Sequence, residues 1–256
     1  MLEVTGLKKY FKAERMFTGV KETVKAVDNI SFNVGRGSIL ALVGESGSGK
    51  TTAARCVAGL EAPDEGRILI AGEEADFTTK AKRRRVQYIF QDTYGSLNPR
   101  MRIGRIIREP IWFHFGLTGE ALENEARKIL GLVGLSRAVE DKYPHELSGG
   151  QRQRAGIARA LAVKPELLIA DEPVSSLDVS VQAQILRLLL ELNREGLSIL
   201  LITHDLRVVS GLADYVAVMS GGKIEEQGET AKVFGAPESL YTKALLEAIP
   251  GRRGGN

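Results

Sequence analysis

The chain has a single cysteine, Cys56, in 256 residues. One thiol closes no intrachain disulfide and builds no cysteine-rich metal or cluster site within this chain. Long hydrophobic runs are also missing. No apolar stretch approaches the ~20 residues that cross a bilayer as a helix. The N-terminus, Met1-Leu2-Glu3-Val4, places an acid early and holds no long apolar segment, so no secretory signal is expected. These absences point to the cytoplasm. Charge of one sign is scarce as well. The 35 Lys and Arg against 32 Asp and Glu leave +3, too little by itself to imply nucleic acid. The one basic cluster is Lys80, Lys82, Arg83, Arg84 and Arg85, expected to be a solvated helix face. There is no internal repeat, low-complexity tract or long linker. What remains is ordinary for a globular protein, with 43% hydrophobic and 26% charged residues. The length suffices to bury a core as one or two domains.

Apolar stretches at 2–5, 25–34 and 38–43 predict strands, and the third runs straight into a glycine-rich segment. A helix is expected from Lys50 to about Gly59. Ile68–Ile70, Val86–Phe90, Leu167–Ala170 and Leu197–Ile202 read as further strands. Between Asp92 and Lys164 the pattern turns helical. There Leu122, Ala126, Ile129, Leu130 and Val133 fall on one helix face. Val181, Ile185, Leu188, Leu189 and Leu192 mark another amphipathic helix, with Asp178 or Ser180 as its cap. Val216–Met219 and Lys223–Glu226 flank Ser220-Gly221-Gly222, a hairpin signal.

Gly44-Glu45-Ser46-Gly47-Ser48-Gly49-Lys50-Thr51 fits the phosphate-binding loop G-x-x-x-x-G-K-[ST]. Gly44, Gly47 and Gly49 let the backbone close tightly around an anion, so that N–H groups and a helix N-terminus meet phosphates. Lys50 is expected on the β- and γ-phosphates and the Thr51 hydroxyl on Mg²⁺. Thr52 adds a hydroxyl near the α/β region. Asp171 and Glu172 directly follow an apolar strand. Two acids at a strand end are often merely solvated. Beside a phosphate loop, Asp171 would hold Mg²⁺ through water and Glu172 would polarise the attacking water as general base.

Leu147-Ser148-Gly149-Gly150-Gln151 carries an S-x-x-Q capping box, so its plain reading is a well-capped helix start. The same geometry offers free N–H groups, a positive dipole end and the Ser148 hydroxyl to an anion. This pentapeptide matches the signature of ATP-binding-cassette (ABC) ATPases, a family the chain resembles over nearly its whole length. The resemblance implies an α/β fold, a P-loop NTPase of ABC type. Its parts are a mixed-sheet core, an N-terminal antiparallel β region and an α-helical insert subdomain. One ATPase domain is expected over 1–250, with the insert at about 92–164 and a C-terminal tail at 251–256. ATP and Mg²⁺ are the implied ligands. Asp171 and Glu172 then correspond to the Walker B strand and its catalytic glutamate. Gln91 matches the glutamine that touches Mg²⁺ and the attacking water. His204, in Ile202-Thr203-His204-Asp205, matches the switch histidine on the γ-phosphate. Ser148, Gly149, Gly150 and Gln151 would meet the γ-phosphate held by a second subunit. Asp178, in Ser175-Ser176-Leu177-Asp178, would link the two sites. The adenine would stack on Phe11, with Tyr10 the alternative, and a loop is expected between Lys12 and Thr23. His114 and His145 have no such context and are read as structural.

Two further stretches are similar to the oligopeptide, dipeptide and nickel importer ATPases. One runs Phe90-Gln91-Asp92-Thr93-Tyr94-Gly95-Ser96-Leu97-Asn98-Pro99-Arg100 and on through Ile106-Ile107-Arg108-Glu109-Pro110. The other is the tail Tyr241-Thr242-Lys243-Ala244-Leu245-Leu246-Glu247-Ala248-Ile249-Pro250. Ser239-Leu240 departs from the His-Pro found in many members. Ending at Asn256 without a cysteine cluster leaves a short member or a cut chain equally open. The subgroup implies an ATPase subunit at the cytoplasmic face of the cell membrane. Its partners would be a second ABC ATPase subunit, as homodimer or heterodimer, and transmembrane permease subunits. An extracytoplasmic solute-binding protein would act indirectly, and no nucleic acid is expected. The alternative is an accessory ABC ATPase of a metabolic complex such as phosphonate breakdown. Tyr94, Leu97 and Met101 are expected either at or near the surface, docking permease helices, or folded back onto the insert.

Overall fold

The computed structural model describes residues 1–14, 21–91, 93–175 and 177–248. The chain divides into two compact units. One is Met1–Ala75 with the chain from Ser198 onward, and the other is Asp76–Leu197.

The first unit opens with β1 (Leu2–Glu14) and β2 (Lys21–Val34), an antiparallel pair with Leu2 opposite Val34 and Val4 opposite Phe32. Next come β3 (Ile39–Val43), α1 (Lys50–Val57), β4 (Glu65–Ile70) and the short β5 (Glu73–Glu74). β4 pairs with the other edge of β1, giving the antiparallel order β2-β1-β4-β5. Alternate residues Leu2, Val4, Ile30, Phe32, Val34, Ile68 and Ile70 are buried, which is the period-2 pattern of a sheet with one dry face. β1 is longer than the apolar stretch at 2–5 suggests. Residues 8–12 are polar or exposed, yet cross-strand partners carry the ladder on to Glu14. Strands thus enter both ends of the loop expected at Lys12–Thr23, and its centre lies outside the described residues.

The second unit holds α2 (Lys80–Arg85), which buries no residue, as a solvated basic face should. β6 (Val86–Ile89) leads through α3 (Thr93–Ser96), α4 (Ile103–Phe115) and α5 (Gly119–Leu132) to two single 3₁₀ turns and α6 (Gly149–Leu161). β7 (Leu167–Asp171) is parallel to β6, and α7 (Val179–Arg194) follows it. The apolar faces fall as the periodicity predicts. Ala126, Ile129, Leu130 and Val133 are buried near α5, and Ile185, Leu188, Leu189 and Leu192 on α7. Asp178 occupies the N-cap position of α7, but its side chain makes no capping bond. Leu97 is 1% exposed, so it folds back into the core and is not a surface group. Met101 is half-buried, and the side chain of Tyr94 lies outside the described set.

The first unit resumes with β8 (Ser198–Thr203), α8 (Leu206–Leu212), β9 (Tyr215–Ser220), β10 (Lys223–Glu229), α9 (Thr230–Gly235) and α10 (Leu240–Glu247). β3 lies between β8 and β9, parallel to both. All three are nearly continuous apolar runs, as strands covered on both faces require. β9 and β10 form the expected hairpin. Gly221 and Gly222 take φ of 51° and 82°, the left-handed pair that a tight two-residue turn needs.

Candidate functional site

In the first unit, β3 and β8 run in register, with Val43 opposite Thr203. Their C-terminal ends therefore deliver Gly44 and His204 side by side. The loop Gly44–Gly49 bends back over the strand end and enters α1. Gly49 is the N-cap of α1 in left-handed conformation, φ 104°. A Cβ there would strike the Ala26 carbonyl, and one at Gly44 (φ 148°) would strike the Met219 carbonyl. Only glycine fits at these two points, so the main chain itself forms the cradle wall. The β9–β10 hairpin braces it, because Gly222 N–H donates to the Ser48 carbonyl at 3.0 Å.

Lys50 is 6% exposed. Its ammonium donates to the carbonyls of Gly44 (2.8 Å) and Glu45 (2.7 Å) and to the Ser48 hydroxyl at 3.2 Å. The charge is thereby fixed inside the loop, where an anion would need it. Ser46 and Gly47 are exposed at the loop rim, Thr51 is exposed on the first turn of α1, and Thr52 is half-buried. Tyr241, in the tail stretch, accepts from Glu45 N–H at 3.4 Å and so ties α10 to the phosphate loop. No motif announces that contact, since it joins residues 196 apart. His204 is exposed. The next residue, Asp205, caps α8 by accepting from Arg207 N–H at 3.0 Å and grips the Arg207 guanidinium at 3.0 and 2.8 Å. That bond to Arg207 holds the Asp205 carboxyl below its ordinary range.

Of the two N-terminal aromatics, Tyr10 is engaged. Its hydroxyl donates to Asp28 at 2.5 Å, which lowers the Asp28 carboxyl and raises the Tyr10 phenol. Phe11 is 41% exposed, with the Lys9 ammonium 5.3 Å from its ring centre.

In the second unit, β6 and β7 are parallel, with Ile89 opposite Ala170. Gln91 and the pair Asp171–Glu172 thus emerge at the same end of adjacent strands. Asp171 is 3% exposed and accepts from the Tyr88 hydroxyl at 2.7 Å. Glu172 has φ 49°, left-handed for a residue with a side chain and placed just before Pro173. A residue preceding proline ordinarily prefers extended backbone. Such strain, about 1–3 kcal/mol, collects at functional sites.

The capping box at α6 is present in both directions. Gln151 N–H donates to Ser148 Oγ at 3.3 Å, and Ser148 N–H to Gln151 Oε1 at 3.1 Å. Ser148 stays exposed. A Cβ on Gly149 would stand 3.2 Å from Leu177, and one on Gly150 would stand 2.5 Å from Val181. The two glycines let α6 sit against the start of α7, which puts the signature beside the segment carrying Asp178.

The model of the ABC transporter family matches residues 27–175. The dipeptide transport ATP-binding protein DppF of Haemophilus influenzae is 45% identical over 98% of this chain and 78% of its own length. The oligopeptide transport ATP-binding protein OppF of Bacillus subtilis is 45% identical over 98% of this chain and 82% of its own. Among solved structures, a dimeric post-hydrolysis state of the ATP-binding cassette MJ0796 with ADP and Pi aligns at TM-score 0.79. It is 27% identical and covers 90% of this chain and 99% of that one. A cassette fold on an α/β core, a phosphate loop and a signature helix agree with these matches. The chain belongs to the ABC transporter family, as the ATP-binding and ATP-hydrolysing subunit of an importer.

Proposed function

We propose that this subunit powers peptide uptake through membrane permeases, and that the residues described above divide ATP hydrolysis among themselves. The observation that carries the substrate class is the near full-length match to dipeptide and oligopeptide transport ATP-binding proteins. Those names do not favour an accessory role in a metabolic complex.

Backbone N–H groups of 44–49 and the Lys50 ammonium take the β- and γ-phosphates, with Thr52 near the α/β region. Phe11 stacks on the adenine, because its ring is exposed while Tyr10 is held by Asp28. Glu172 accepts the proton of the attacking water. The water oxygen then bonds to the γ-phosphorus as the bond to the ADP oxygen breaks, leaving ADP and phosphate. His204 orients this arrangement from the γ-phosphate side.

By the resemblance, Thr51 of the first unit would offer a hydroxyl, and Gln91 and Asp171 of the second an amide oxygen and one carboxylate. Each is a hard-oxygen donor of the kind suited to an ion that keeps several waters, namely Mg²⁺. Bound there, Mg²⁺ would neutralise charge on the β- and γ-phosphates.

A second ATPase subunit supplies Ser148–Gln151 in trans, and Asp178 links the two sites. Ser148 and Asp178 are exposed, and Val179 is 81% exposed, an apolar group with room for a partner. The pair sits at the cytoplasmic face of the membrane. The test is reconstitution with its permeases and binding protein in liposomes. ATPase stimulated by di- or oligopeptides supports the peptide reading, and stimulation by Ni²⁺ alone overturns it.

A further inference from the structure

We propose that Tyr88 is a positioning residue for Asp171, aiming its carboxylate at the metal site. This rests on reading Asp171 as a Mg²⁺-holding residue. On parallel strands, register partners point to the same face of the sheet. Tyr88 is opposite Ile169, so Asp171 lies one pleat further along that face. One pleat is about 6.6 Å, two residues at about 3.3 Å each. A tyrosine laid along the face covers that span, and its hydroxyl meets Asp171 Oδ2 at 2.7 Å. Both residues are buried, Tyr88 at 8% and Asp171 at 3% exposure, so bulk water does not compete freely for the bond.

The ring is itself held. Phe90, two residues on and on the same face, packs against it with centroids 4.7 Å apart at 47°. The result is a chain of support from Phe90 to Tyr88 to Asp171. It engages the Oδ2 oxygen of the carboxylate and so restrains the Asp171 side chain. Outer partners of this kind hold a ligand's orientation, and losing one typically weakens metal affinity 10–100-fold.

The test compares Tyr88→Phe with the parent chain by calorimetric titration of ADP, in EDTA and across a Mg²⁺ series. The expected result is unchanged metal-free ADP affinity, with the half-saturating Mg²⁺ concentration raised about tenfold. A thermal melt checks that the fold persists. Phe90→Leu, which keeps the hydroxyl but removes the ring behind it, should raise the Mg²⁺ requirement by a smaller factor and remains readable if Tyr88→Phe is unstable. Unchanged Mg²⁺ dependence in a folded Tyr88→Phe overturns the proposal. Mg²⁺-independent ADP affinity in the parent chain overturns the reading of Asp171 itself, a separately recognisable outcome.

Discussion

Single residues in this chain carry sharply different burdens. Glu172→Gln keeps the shape and removes the proposed base. Hydrolysis should slow by about 10²–10⁴ while ATP binding persists, as read by phosphate release and calorimetry. Near-normal turnover would place the base elsewhere. Glu172→Gly has a second expected effect, because φ 49° strains any residue with a Cβ. Relief of that strain should raise stability by up to about 1 kcal/mol while hydrolysis is lost, visible as a higher melting midpoint in an inactive protein. Lys50→Ala removes the ammonium held over the loop carbonyls and should abolish ATP binding. Cys56 is the opposite case. Buried on α1, its thiol is pushed up to about 11. At pH 8 very little thiolate is present, so the folded chain should resist maleimide alkylation and react only on unfolding.

Helices and strands follow from the sequence where a period or a spacing is long enough to read. The faces of α5 and α7, the strand leading into the phosphate loop, the Gly221-Gly222 hairpin and the α6 capping box were all legible. α8, α9 and α10 were not, because with 7, 6 and 8 residues they offer too few turns for periodicity to register. Leu97 was open to two readings for another reason. Asn98 and Pro99 mark a turn, yet a turn fixes backbone direction and not where a neighbouring side chain points. Since Leu97 is buried, Leu97→Ala should cost about 2–5 kcal/mol in a denaturant melt. Stability unchanged by that substitution would restore the surface reading. Tyr88 was invisible for a related cause, since its role depends on strand register between residues 83 apart. The packing of α6 on α7 gives a prediction of its own. A methyl at Gly150 would crowd Val181, whose β-branched side chain has little freedom to move aside. Gly150→Ala should cost about 1–3 kcal/mol and lower turnover, and adding Val181→Ala should recover much of that stability.

At the scale of the whole molecule, a chain with an exposed signature and its own phosphate loop invites a test of which subunit serves which site. On the proposed reading, each site of a two-fold dimer takes its phosphate loop from one chain and its signature from the other. Ser148→Arg should leave ATP binding to the isolated chain intact, because on the proposed reading Ser148, the N-cap of α6, serves the site of the partner subunit. It should nevertheless block closure and hydrolysis, since a long cation would crowd the γ-phosphate presented by the partner. Lys50→Ala should be inactive for the separate reason of lost nucleotide. Mixed in equal amounts, the two inactive variants pair at random and about half the dimers hold one of each. Such a dimer has one site with both faults and one site with neither. If an intact site turns over alone, ATPase should return to about a quarter of the parent rate. Full activity of Ser148→Arg by itself would exclude the trans role. Activity absent from the mixture, with mixed dimers demonstrated by differential tagging, would mean that both sites must be intact for either to fire.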